Sequence, residues 1–392
     1  MATIEFDIKK QAVADLLKKN PNITGKDAAE ILGISESSFF RCKKSLHKHE
    51  QGVLNTIQTN KYKRAYGELL EKNKMLEKVI EQREDELKGY SELSSLPKSA
   101  EIVVTDEEIR EVVPVIVASD WHIEEKVTAA ITNGLNEYDL DIASDSIKQF
   151  FDKACHKINQ AKEHNTVNTV VLALLGDIIN GVLRDEDLES NQATPIEAIA
   201  IARSLIYSGI KTIVDTTGCN LRVICCVGNH GRLTERIHFS NQVRNNLEFM
   251  LYQTLQRDYR DNPKVTFKVS ESYYTIQKIF NVRVRFHHGH AIKFHGGIGG
   301  IAVSVLRKTA QMNTIEEADL DVIGHFHSSQ MFNNVIVNGS LVGSNGFSMS
   351  LGLPHDIPKQ TYFEIDSKYG RTTVYPICID REVDKPDVDT IK

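Results

Sequence analysis

Five short stretches of the chain hold residues able to do chemistry. They are "SDWH" (119–122), "GD" (176–177), "GNHGR" (228–232), "HHGH" (287–290) and "GHFH" (324–327). They bring Asp120, His122, Asp177, Asn229, His230, His288, His325 and His327. Each stretch closes an apolar run. Singly they say little: an Asp after a strand commonly caps the next helix, and Gly and Asn are common turn residues. Five in order, all at the ends of apolar runs, do not fit capping. Carboxylate, imidazole and amide oxygen together suit Mn, Fe or Zn better than an all-oxygen Ca site. Two neighbouring ions need one carboxylate that touches both, and Asp177 is the natural bridge. His325 and His327 are two residues apart, so their rings need not serve one ion.

These groups need rigid elements to place them. The runs "VVPVIVAS", "TVVLALLG", "LRVICCVG", "VRVRFHHG" and "DVIGHFH" are strand-length and alternate with helical stretches from residue 112 onward. That alternation predicts an α/β body rather than an all-β one. Open α/β sheets place their chemistry at the carboxyl ends of strands.

The N-terminal part differs. "ITGKDAAEILGISESSFFRCKKSL", residues 23–46, predicts two helices with a glycine turn. Thr24 can cap the first, Gly33 breaks it, and Ser35 can cap the second, which carries Arg41, Lys43 and Lys44. This is a helix-turn-helix pattern, with those three basic side chains as phosphate contacts on DNA. A small bundle used for protein contacts is the alternative. Residues 56–90 fit heptads, with Tyr66, Asn73, Ile80 and Leu87 at a, and Tyr62, Leu69, Leu76, Arg83 and Tyr90 at d. They predict a two-chain coiled coil and a homodimer, or else one long helix packed on its own body. The expected modules are 1–52, 53–92, a linker at 93–111 containing Pro97, and a body at 112–392.

Composition limits the function classes. The 392 residues are 41% hydrophobic and 26% charged, ordinary for a soluble globular protein. The net charge of −6 excludes a generic nucleic-acid sponge. Residues 1–64 hold 12 Lys/Arg and 7 Asp/Glu, leaving −11 for the rest, so a basic module joins an acidic body. The six cysteines form no CxxC pair, and Cys225 and Cys226 read as small buried hydrophobes. The expectation is a reducing, cytoplasmic setting, with no signal core and no membrane span.

The ordered blocks D-x-H, GD, GNH, HG and GHxH, across residues 115–327, resemble the calcineurin-like metallophosphoesterase superfamily. The resemblance implies a four-layer α/β sandwich and two-metal hydrolysis of a phosphate ester, with manganese, iron or zinc. It assigns Asp120, His122, Asp177 and His327 to one metal, and Asp177, Asn229, His288 and His325 to the other. His230 would assist the leaving group. The acidic residue that often follows GNH in that superfamily is Gly231 here, so another group must orient His230. Arg232 could contact a phosphate oxygen, since its fork suits phosphate; a surface salt bridge is the alternative. His287 and His290, flanking His288, are expected as pocket wall or substrate contacts. "DWHIEEKV…NEYDLDIAS" and "GNHGRL" resemble the DNA-repair exonuclease-like branch and its bacteriophage relatives. A nucleic-acid phosphodiesterase, most simply a DNA nuclease, is the leading expectation, acting in the host cytoplasm if the chain is phage-encoded. A phosphomonoesterase or phosphoprotein phosphatase, and a binding scaffold with a degenerate metal site, are the alternatives.

Overall fold

The computed structural model describes residues 2–94, 109–183, 185–294, 300–350 and 355–381. The chain divides into two compact units, Met1–Thr105 and Asp106–Lys392.

The first unit is helical: α1 (Ala2–Lys19), α2 (Gly25–Leu32) and α3 (Glu36–Ser94). The start of α2 follows from Thr24, whose hydroxyl accepts the Asp27 amide. It stops at Gly33, left-handed at φ 61°, a conformation glycine adopts without cost. The Ser35 hydroxyl then accepts the Ser38 amide and opens α3. Val13, Ala28, Phe39 and Cys42 form the small core, flanked by Leu16 and Leu17. Helix α1 was not expected from the sequence, although Val13, Leu16 and Leu17 have helical spacing. The basic residues and the heptad stretch share the single helix α3, so positions 52 and 53, where two modules were expected to meet, lie inside it. Most of the expected linker, residues 95–108 with Pro97, falls outside the described residues.

The second unit runs β1 (Val112–Ala118), α4 (Leu140–His164), β2 (Thr169–Leu174), α5 (Asp185–Ser190), α6 (Pro195–Thr217), β3 (Asn220–Cys225) and α7 (Leu247–Asp258). It continues β4 (Val265–Val269), β5 (Tyr274–Ile279), β6 (Val282–His287), α8 (Ala302–Asn313), β7 (Leu320–Ile323), β8 (Gln330–Phe332) and β9 (Val335–Val337). Last come α9 (Gly346–Ser350), β10 (Lys359–Asp366) and β11 (Gly370–Cys378). One sheet has the order β11-β10-β1-β2-β3-β4, with β1 to β4 parallel and β10 antiparallel to β1. The other has the order β5-β6-β7-β9-β8, with β6, β7 and β9 parallel.

Period-two alternation explains the packing. Ile116, Leu172 and Val223 pack in one core with α4 and α6 residues such as Phe150, Ile206 and Ile210. Their neighbours Val115, Val117, Val171 and Ile224 face the opposite way, against Val284, Phe286 and Val322 of the second sheet. Ile323, Val335 and Val337 pack with Val305 of α8. Strands buried on both faces read as continuous apolar runs, which is why β1 and β2 were visible in the sequence. No helix among the described residues is long and apolar enough to cross a membrane.

Candidate metal centre

The carboxyl ends of β1, β2, β3, β6 and β7 converge. Asp120 and His122 follow β1, Asp177 follows β2, Asn229 and His230 follow β3, His288 follows β6, and His325 and His327 follow β7. Their donor atoms form three overlapping groups: Asp120, His122 and His327; His122, Asp177 and His230; Asp177, His288 and His325. Within each group the donor atoms lie within 4.8 Å of one another. Asp177 thus reaches both the His122 side and the His288 side. Asn229 Oδ1 is 3.2 Å from His288 Nε2, which is 2.8 Å from Asp177 Oδ2. His327 Nε2 lies 3.5 Å from Asp120 Oδ1.

Residues outside the cluster fix the rings from behind. His288 Nδ1 donates to the Leu175 carbonyl at 2.8 Å, and His230 Nδ1 to the Asn180 carbonyl at 2.7 Å. His122 Nδ1 meets Asn180 Oδ1 at 3.0 Å, while Asn180 Nδ2 donates to Asn191 Oδ1. A carbonyl only accepts, so a proton sits on each Nδ1 and Nε2 is the atom left to face an ion, which at His288 would replace the proton shared with Asp177. Metal-ligating histidines are commonly held in this way.

The donor set fits divalent cations. His122 Nε2 and His327 Nε2 face one another at 3.2 Å. Two donors at zinc-like bond lengths on one tetrahedral ion stand about 3.3 Å apart. Burial pulls the imidazolium pKa of His122 well down, and takes that of His327 to about 4; both rings are neutral at pH 7 and can offer lone pairs. At His288 burial also acts downward, but the carboxylates of Asp177, Asp120 and Glu248 outweigh it and lift the pKa to about 9. A cation is favoured at that place, whether proton or metal. Burial raises Asp120 to about 7, while the surrounding imidazoles hold Asp177 low against its own burial.

The backbone is strained to make this arrangement. Asp120, His122, Asp177, His325 and His327 have φ of 57°, 45°, 51°, 72° and 55°. Such left-handed non-glycine residues cost about 1–3 kcal/mol each and gather at functional sites. The glycines in the motifs leave room for ligand oxygens. A Cβ on Gly228 would stand 2.1 Å from Asp177 Oδ1, and one on Gly324 would stand 2.5 Å from Asp120 Oδ2.

Several supporting residues escaped the sequence reading. Glu248, fully buried at the start of α7, accepts the Ile178 amide at 2.6 Å and the Gly228 amide at 2.7 Å, tying the loop after β2 to the loop after β3. Glu124 accepts the Asn180 and Gly181 amides. Burial raises these two carboxyls to about 8 and about 7. Gln360 on β10 accepts the Ser119 amide and the Trp121 indole N–H, holding the loop that bears Asp120. No spacing rule marks such residues, because each is distant in sequence from the loop it holds.

The remaining expected site residues are placed differently. His230 belongs to one donor group, with His122 and Asp177; its backbone N–H donates to Asp177 Oδ1 at 2.8 Å and its ring is 4.5 Å from that of His122. The group that orients it is the Asn180 carbonyl, not a carboxylate. Arg232 donates to the carbonyls of Thr234, Asn229 and Glu235, and so braces its own loop. That engagement uses three of the five guanidinium N–H donors. His287 is 1% exposed and faces Tyr273 and Asp321, away from the ligand group, because strand alternation sends it to the other side from His288. His290 Nε2 meets Gln242 Oε1 at 3.0 Å, and its ring is 5.6 Å from that of His288. Arg41, Lys43 and Lys44 are exposed on α3, in the first unit.

No protein-family model matches the chain, and no curated protein matches it. Solved structures do. One is a predicted phosphoesterase from Streptococcus pneumoniae, at 15% identity and TM-score 0.29, covering 69% of this chain and 92% of that one. Another is a phosphoesterase from E. coli, at 13% identity and TM-score 0.26, covering 67% and 99%. A third is vacuolar protein sorting 29 from Cryptosporidium parvum, at 12% identity and TM-score 0.27, covering 69% and 97%. At such scores these likenesses decide nothing about the activity of this chain; the geometry of the cluster has to.

Proposed function

We propose that this chain is a metal-dependent phosphoesterase of the calcineurin-like class that cleaves phosphodiester bonds in nucleic acid. The carrying observation is the convergence of three donor groups, two of which contain Asp177 and two of which contain His122. On this reading the second unit is a four-layer α/β/β/α sandwich. Asp120, His122, Asp177 and His327 hold one divalent ion, and Asp177, Asn229, His288 and His325 hold another. Manganese is the expected ion, with iron and zinc suited to the same donors. Bound divalent ions supply positive charge to a phosphoryl group and acidify water near neutral pH. His230 is the proton-handling side chain. With the Nδ1 proton committed to the Asn180 carbonyl, Nε2 is the atom that would take up a second ring proton and pass it to a departing oxygen. Asp177 keeps the ring in place through the His230 amide.

The test compares supercoiled plasmid, single-stranded DNA, a chromogenic phosphodiester and a chromogenic monoester with purified manganese-loaded protein. Cleavage of the diesters is expected. Turnover of the monoester alone would replace this reading with a phosphatase. Bound manganese without any turnover would make the second unit a binding scaffold.

A further inference from the structure

Helix α3 has 59 residues, about 88 Å at the usual rise. Only its first turns contribute to the small helical core. Every residue from 55 to 88 is exposed. Among them Tyr62, Tyr66, Leu69, Leu76, Ile80 and Leu87 are between 55% and 76% exposed, and they share one face at heptad spacing. Most helical stability in proteins comes from packing an apolar face, and an apolar stripe on an exposed helix implies a partner.

We infer that the partner is a second copy of this chain, paired in parallel and in register through residues 62–87. Two features select that occupant. Asn73 sits at an a position within the stripe. In a parallel pair it faces Asn73 of the other copy, amide to amide, which favours two strands and fixes register. In the antiparallel pairing that aligns the same stripe, Asn73 faces Leu76, and its amide is buried without a partner. Charge agrees. Lys72 at g meets Glu77 at e of the other copy in the parallel pair, twice by symmetry. The antiparallel pairing keeps a Lys63–Glu84 attraction but sets Glu77 against Leu70. Arg83, at d, opposes the seam. Its guanidinium already pairs with Glu86 of its own helix, so its stem can cover the seam with the charge outside. Because Arg41, Lys43 and Lys44 precede the stripe on the same helix, a parallel pair carries both basic segments at one end. Lys44 lies about 27 Å along the axis before Tyr62.

This inference does not depend on the phosphoesterase reading, and its test uses no turnover. Light scattering on the full chain at micromolar concentration should give twice 44.1 kDa. Leu76→Asp with Ile80→Asp should halve that mass while the circular-dichroism spectrum keeps its α/β body. Asn73→Cys should link two chains by a disulfide under mild oxidation, because only the parallel in-register pair brings position 73 against itself. The native chain should not link; five of its six cysteines are buried and Cys378 is half-buried. A monomeric or a larger native chain overturns the inference. A dimer that Asn73→Cys does not link overturns the parallel register. If the double variant misfolds, the Asn73→Cys result still decides.

Discussion

Asp177 accepts the His230 amide on Oδ1 and lies 2.8 Å from His288 Nε2 through Oδ2. Among the described residues no other carboxylate belongs to two of the donor groups. Asp177→Asn should lower phosphodiester turnover by more than about a hundredfold, because even outer-sphere partners of a metal site commonly cost 10–100-fold. Near-normal turnover at saturating manganese would end the bridging role. His230 behaves differently if it only handles a proton. His230→Ala should keep the metal content, and should slow an alkyl leaving group more than a nitrophenolate, since proton donation matters most for the poorer leaving group. Loss of metal by elemental analysis would make it a ligand instead. The pH dependence follows from His288. Its pKa near 9 lies above the ordinary 6.5, so at pH 7 the metal-free ring is protonated and a metal must displace that proton. Metal affinity should rise about tenfold per pH unit toward pH 9. Below about pH 7 the rise should steepen, as the raised Asp120 carboxyl adds a second proton. A chelator competition series at several pH values measures the slope, and a flat profile would contradict it. At this scale the sequence was a good guide to donor types, because Asp, Asn and His stand out at the ends of apolar runs. His287 and His288 are adjacent, and adjacent strand residues point to opposite faces, so His287 meets Tyr273 and Asp321 while His288 meets Asp177.

The elements explain why the motifs contain glycine. Gly228 has no room for a side chain: its Cβ would press on Asp177 Oδ1. Gly228→Ala should cost about 1–3 kcal/mol by overpacking and should weaken metal binding more than Asn229 alone would explain. Thermal unfolding with and without manganese measures both effects; an unchanged midpoint and metal titration would mean the loop relaxes freely. Strands β1 and β2 were legible because burial on both faces makes them continuous apolar runs, whereas β6 shows as an alternation of Val with Arg before Phe286. β4, β5, β8 and β9 were not. Strand β4 has one buried residue out of five, and β8 has none out of three, so no apolar run marks them. Strands β10 and β11 lie beyond the last of the five motifs and join the first sheet at its β1 edge. Glu248 was invisible for another reason. It stabilises two loops by accepting amides 70 and 20 residues away, and nothing local distinguishes it from a helix-start acid.

At the scale of the whole molecule, the chain joins a helical unit carrying exposed basic residues to an α/β unit with a buried donor cluster. Residues 1–64 carry a net +5 by the counts above, within a chain of −6. If Arg41, Lys43 and Lys44 contact phosphates, DNA affinity should fall steeply with salt, because each neutralised phosphate releases counterions. Changing all three to Ala should weaken binding to duplex DNA. It should also flatten the slope of log affinity against log salt by about 2.7 per engaged chain, three contacts at about 0.9 each. Fold loss is a small risk, since these side chains are exposed and the helical core lies at Phe39 and Cys42. Fluorescence anisotropy across a salt series reads affinity and slope together. Lower affinity with an unchanged slope would mean that the residues shape the module without touching phosphate. If neither quantity moves, the helical unit is a protein-contact module, and the choice of nucleic acid as substrate loses the support of its charge.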